Sequence, residues 1–177
     1  MTAEAISIFD QEPKNIDGCY ILDMTCGGRS IWFQKNHPRT VFFDRREVEY
    51  EQEFGTQAST RHIKVHPDVK GDFRHLPFVD ETFNLVVFDP PHIVGGGERW
   101  LTKAYGQYAT AEEAKESVCA GIAEAMRVLK PRGVLIFKWA ETSIPTAEII
   151  KDCGYQPLFG HRSGKKLGTH WMTFIKE

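Results

Sequence analysis

The stretch Phe83-Asn84-Leu85-Val86-Val87-Phe88, followed at once by Asp89-Pro90-Pro91-His92, constrains this chain more than any other. The first six residues are apolar, β-branched or aromatic with one polar break, the pattern of a buried strand. Neither proline donates a backbone hydrogen bond, and Pro90 biases Asp89 away from helix. The chain must leave the sheet as a stiff turn at the strand's C-terminal edge, where open α/β sheets place their ligands. That turn offers a carboxylate and the Pro90 carbonyl, both acceptors, with the flat ring of His92 beside them. Such a set is suited to an –NH2 group on a flat molecule.

The stretch before it completes a crossover pattern. Tyr20-Ile21-Leu22-Asp23-Met24 reads as a strand and runs into Thr25-Cys26-Gly27-Gly28-Arg29-Ser30. Ile31–Lys35 has helical character, which gives strand, glycine turn and helix, the opening of a nucleotide-type unit. Paired glycines permit positive φ and close ligand approach. Thr40-Val41-Phe42-Phe43 reads as the second strand and ends in Asp44. An acid at that place takes ribose hydroxyls in adenosine-binding crossovers. Helical potential lies near Glu47–Phe54, and residues 62–71 read as a third strand or connection. Asp72 follows, placed to accept from an adenine amino group while Phe73 or Leu76 packs on the ring.

With the order Asp23, Gly27-Gly28, Asp44, Asp72 and Asp89-Pro90-Pro91-His92 in view, the chain resembles the class I S-adenosylmethionine-dependent methyltransferases. Within them it is similar to the amino-methyltransferases that carry a D/N/S-P-P-aromatic motif, over roughly residues 18–177. Arg29 stands where a further glycine is common, and His92 stands where Tyr, Phe or Trp is usual. The resemblance implies an α/β fold: a Rossmann-like, seven-stranded, mostly parallel sheet with an antiparallel last strand and helices on both faces. It implies one methyltransferase domain over 1–177, with 1–17 as an N-terminal extension. It implies S-adenosyl-L-methionine as cofactor, held by Asp23, Thr25, Cys26, Gly27, Gly28, Asp44, Asp72 and Phe73. Asp89, Pro90, Pro91 and His92 would be catalytic, and no metal is needed.

The implied activity is methylation of an exocyclic amino group of a nucleobase, N6 of adenine or N4 of cytosine, in DNA. An RNA base amine is the alternative substrate. A second alternative is a non-catalytic cofactor-binding subunit of a larger methyltransferase. The partner expected is a nucleic acid, DNA or RNA; because 177 residues leave little room for a recognition domain, either a target-recognition subunit supplies that role or loops 93–108 and 161–168 suffice.

Composition narrows the mode of binding. A net charge of −2 and a pI near 6.4 exclude a chain that holds nucleic acid by bulk charge, so local patches must serve. One candidate is the irregular stretch 93–108, with Trp100, Tyr105 and Tyr108 to stack bases and Arg99 and Lys103 to meet phosphates. The other is the basic tip Arg162, Lys165 and Lys166 between the last two strands, near 156–161 and 169–176. Residues 110–129 read as an amphipathic helix with Thr110 and Glu113 in a capping-box pattern. Residues 145–153 read as a short helix stopped by Gly154. Lys138, at the end of the strand Val134–Trp139, reads equally as a snorkelling cation and as a partner for Asp89 or substrate. Cys19, Cys26, Cys119 and Cys153 have no close pairing and read as reduced core thiols. No signal peptide or membrane-length apolar run is visible, so a cytoplasmic chain without membrane contact is expected.

Overall fold

A computed structural model describes residues 17–54, 59–97, 102, 105–163 and 168–177, without the side chains of 52–54, 59–61 and 161–163. Its strands are β1 (Ile21–Asp23), β2 (Thr40–Asp44), β3 (Val48–Phe54), β4 (Ser59–Val65), β5 (Val69–Lys70) and β6 (Phe83–Phe88). These are followed by α1 (Ala111–Val128), β7 (Leu129–Ala140), α2 (Thr146–Cys153), β8 (Phe159–Ser163) and β9 (Thr169–Ile175).

Seven strands form one sheet in the order β5-β2-β1-β6-β7-β9-β8. The pairs β1–β2, β2–β5, β1–β6 and β6–β7 are parallel. The last strand, β9, runs antiparallel to both β7 and β8. The order turns back between β1 and β6, which opens a crevice beyond their C-terminal ends. This is the Rossmann-like sheet that the sequence implies.

The central strands are apolar on both sides because both faces are covered. Leu22, Val41, Phe42, Phe43, Val86, Phe88, Leu135 and Phe137 are fully buried. Phe73, Phe88, Phe137 and Trp139 make a run of ring contacts through the core. Burying each large side chain stabilises the fold by roughly 1.5–3 kcal/mol. Helix α1 starts as its sequence dictates: the Thr110 hydroxyl accepts from the Glu113 N–H, and Glu113 accepts in return from the Ala109 N–H. Its face Ala114, Val118, Ile122 and Ala125 is wholly buried. A Cβ on Gly121 would sit 2.5 Å from the Phe88 ring, so only glycine lets α1 lie this close to β6. Helix α2 ends at Gly154, which takes a φ of 73°. Neither described helix is long and apolar enough to cross a membrane.

Three expectations are corrected. The helix expected over Ile31–Lys35 is a series of turns, because Arg29 sits at a φ of 54° and Trp32 folds back onto β1 and Phe42. The helix expected near Glu47–Phe54 is strand β3, paired antiparallel with β4 from Val48↔Val65 to Phe54↔Ser59. The alternation Val48, Tyr50, Gln52, Phe54 has period two, and that period prevailed over helical propensity. The third correction concerns the thiols. Cys119 on α1 and Cys153 on α2 form a disulfide with Cα atoms 4.6 Å apart, while Cys19 and Cys26 are free. Side-by-side helix packing brings together cysteines 34 positions apart, which spacing alone does not show.

Candidate active site

The crevice beyond β1, β2, β5 and β6 is a cavity of about 290 Å³. Asp23, Thr25, Cys26, Gly27, Gly28, Asp44, Asp72, Phe73, Asp89, Pro90, Pro91 and His92 all line it. Residues from four strand ends, widely separated in sequence, are therefore brought to one place.

At the end of β1, Asp23 is 1% exposed. Its Oδ1 accepts from the Thr25 N–H at 3.2 Å and its Oδ2 from the Trp32 indole N–H at 2.6 Å. Burial raises its pKa to about 7; the two hydrogen bonds oppose that shift, while the charges of Asp89 and Asp44 add to it. Asp23 thus anchors the turn from within. Gly27 takes a φ of 48° and points its N–H at Asp44 Oδ2, 2.9 Å away. Arg29 occupies a left-handed position where glycine would be unstrained. Its guanidinium bonds to the Lys35 carbonyl, Asn36 and the His66 carbonyl, each at 2.8 Å, and lies 3.8 Å from the centre of the Phe42 ring. Those contacts offset the backbone strain and make Arg29 a structural pin.

The other acids each carry a basic partner. Asp44 Oδ1 accepts from the Arg46 N–H at 2.9 Å and from Arg46 Nε at 3.3 Å. Asp72 has the same arrangement two residues before Arg74, with a further contact from Nη2 to Oδ2 at 2.5 Å. That guanidinium, through its side-chain hydrogen bonds, holds the Asp72 carboxyl below its ordinary range. Asp89 Oδ2 accepts from Lys138 Nζ at 2.6 Å, and the Asp89 N–H donates to the Thr25 hydroxyl at 2.8 Å. Oδ1 of Asp89 has no hydrogen-bond partner among the described residues. Of the readings open for Lys138, the structure selects the partner of Asp89. His92 is mostly enclosed. Burial keeps its ring below the ordinary histidine pKa; the Asp89 charge and a bond to the Pro90 backbone oppose that shift and Lys138 supports it, so the imidazole is neutral near pH 7.

The rim comes from the chain beyond His92. The Thr142 hydroxyl donates to the His92 carbonyl at 2.5 Å, and the Val94 N–H donates to Ser143. Gly95 and Tyr108 bond across the loop, which puts Tyr105 and Tyr108 on the cavity wall. Trp100, Arg99 and Lys103 lie outside the described residues, as do Lys165, Lys166 and the Arg162 side chain. Sequence reasoning missed Trp32, Arg45, Arg46, Arg74 and Ser117 as wall or anchor residues. Two of these had a visible signal. Arg46 and Arg74 each stand two positions after a strand-end acid, where an arginine can fold back on the carboxylate.

The donor set fits an adenosine-bearing cofactor. A sugar and an adenine present hydroxyl and amino hydrogens, and the cavity presents Asp44 and Asp72 beside a glycine turn of positive φ.

No family model matches the chain, and no curated protein does. Solved structures do. The PH0226 protein from Pyrococcus horikoshii OT3 superposes with a TM-score of 0.56 at 14% identity, covering 89% of this chain and 82% of that one. The 1,6-didemethyltoxoflavin-N1-methyltransferase of Burkholderia thailandensis, solved with 1,6-didemethyltoxoflavin and S-adenosylhomocysteine, gives 0.52 at 14% identity, covering 89% and 70%. The chain therefore shares its Rossmann-like fold with a structure that binds S-adenosylhomocysteine.

Proposed function

We propose that this chain methylates an exocyclic amino group of a nucleobase in DNA, N6 of adenine or N4 of cytosine, using S-adenosylmethionine. The carrying observation is the Asp89-Pro90-Pro91-His92 turn on the same cavity as Gly27, Asp44 and Asp72. Fold likeness to an S-adenosylhomocysteine-bound structure supports the cofactor. Asp44 and Asp72 would hold its sugar and adenine, and the Thr25–Gly28 turn its amino-acid end. Bound there, it supplies a methyl group on a sulfonium.

The residues of the turn do the rest. An aromatic amine is a poor nucleophile because its lone pair is delocalised. Asp89 Oδ1 and the Pro90 carbonyl accept its two hydrogens and draw the nitrogen toward tetrahedral geometry. They also stabilise the positive charge that grows on nitrogen, and they are in place before reaction. Lys138 fixes the carboxylate by its other oxygen. His92, neutral and flat, stacks on the base once it is flipped out. The nitrogen's surplus proton leaves toward Asp89.

The test is incubation with tritiated S-adenosylmethionine and separate DNA, rRNA and tRNA pools, followed by nucleoside mass spectrometry. Label at N6-methyladenine or N4-methylcytosine from DNA supports the proposal. Label from RNA alone transfers it to RNA. Cofactor binding without any label supports a non-catalytic subunit.

A further inference from the structure

Asp72 is closed by its own neighbour. Oδ1 receives the Arg74 backbone N–H at 2.9 Å and Nε at 3.0 Å; Oδ2 receives Nε at 3.0 Å and Nη2 at 2.5 Å. Three N–H groups of Arg74, Nε shared between the two oxygens, thus cover both sides of the carboxylate, and an incoming amino group must compete with them. Asp44 differs, because Arg46 engages its Oδ1 and, among the described residues, its Oδ2 receives only the Gly27 N–H.

Tyr108 presents the opposite imbalance. It is 6% exposed, and its hydroxyl is buried with no hydrogen-bond partner among the described residues. The charges acting on that phenol are Arg45, Glu113, Arg74 and Asp72, all on the wall of the same cavity. Arg74 in turn feels Glu113 and Tyr108 after Asp72 itself. One arginine on this wall therefore acts on both a heavily engaged acceptor and an unused hydroxyl.

We infer that Arg74 is a two-position latch on the adenine end of the site. In the position seen, it closes Asp72. When an amino group claims Asp72, the guanidinium turns to the Tyr108 hydroxyl and the Glu113 carboxylate, and Tyr108 gains the partner it lacks. Tyr108 is then a positioning residue that acts through Arg74. This rests on the proposed cofactor reading and deepens it, since the latch sets what binding must displace.

The test is calorimetry with S-adenosylhomocysteine as a double-mutant cycle. R74A should bind about 3–10-fold more tightly than wild type because no latch competes. R74K, which lacks the fork but keeps the charge, should fall between and guards against a folding defect in R74A. Y108F should bind about threefold more weakly, and in the R74A background it should change nothing. An R74A protein that binds no more tightly, or a Y108F loss equal in both backgrounds, overturns the latch. Absence of binding by wild type overturns the cofactor reading instead.

Discussion

Asp23 and Asp89 lie at the C-terminal ends of adjacent parallel strands, with Asp23 in register with Val87, two residues before Asp89. Their surroundings could hardly differ more. Asp23 is 1% exposed and both its oxygens are used by its own turn. The Asp89 side chain is 21% exposed, tethered by one oxygen to Lys138 and open at the other. A carboxylate with both oxygens bonded within its own turn shapes that turn. One left half-satisfied on a cavity wall is available to a ligand. Both are aspartates at strand ends; the partners decide the role.

The sharpest way to break this comparison is Asp89→Ala. Under the proposed mechanism, transfer should fall by about 10²–10³-fold or more, the range for losing one preorganised charge-stabilising group. Affinity for S-adenosylhomocysteine should stay within a few-fold, because Asp44 and Asp72 are untouched. Full activity in this variant would reduce the proline turn to a structural feature.

Asp23 should instead show itself in stability. Its pKa rises to about 7 in the fold from about 3.9 when unfolded, so the folded state binds its proton more tightly. That stabilisation is complete below the unfolded value and is lost as pH rises through about 7. Urea denaturation of wild type should show roughly 2–4 kcal/mol less stability at pH 8 than at pH 4 from this group alone. Asp23→Asn, which keeps the carbonyl for Trp32, should flatten that dependence. An unchanged pH profile would show that Asp23 is not buried as a neutral acid.

Lys138→Met should lower kcat by about tenfold while cofactor affinity holds, since it removes the tether and leaves the carboxylate in place. Lys138→Arg should recover part of the loss, and equal rates in all three proteins would dismiss the tether. Asp44→Ala should weaken cofactor binding by about 1–3 kcal/mol, the range for a charged hydrogen bond. The smallest effect is expected from His92→Tyr, which keeps a flat ring and should retain activity; a complete loss would give the imidazole a role beyond stacking.

The sheet was legible because its strands are apolar runs with sharp ends: Phe83–Phe88 stops at Asp89-Pro90, and Thr40–Phe43 stops at Asp44. The lining of the cavity was legible for the same reason, since strand ends of a parallel sheet share one edge. The partners of those acids were less so. Trp32 reaches Asp23, and Lys138 reaches Asp89 across 49 positions, by packing that no local pattern encodes. The segment after β1 misled because Ile31–Lys35 has helical composition, while Arg29 takes a backbone angle that interrupts a helix. The Cys119–Cys153 pair depends on how α1 and α2 lie together.

The central claim is that the Asp89 turn and the Gly27–Asp44–Asp72 wall form one methyl-transfer site. It is tested most directly by tritium transfer from S-adenosylmethionine to DNA, with wild type and Asp89→Ala side by side and S-adenosylhomocysteine binding measured on both. The account predicts label on an exocyclic nitrogen with wild type only, and comparable binding by both proteins. Equal transfer by both proteins, or binding lost along with transfer in the variant, would contradict it.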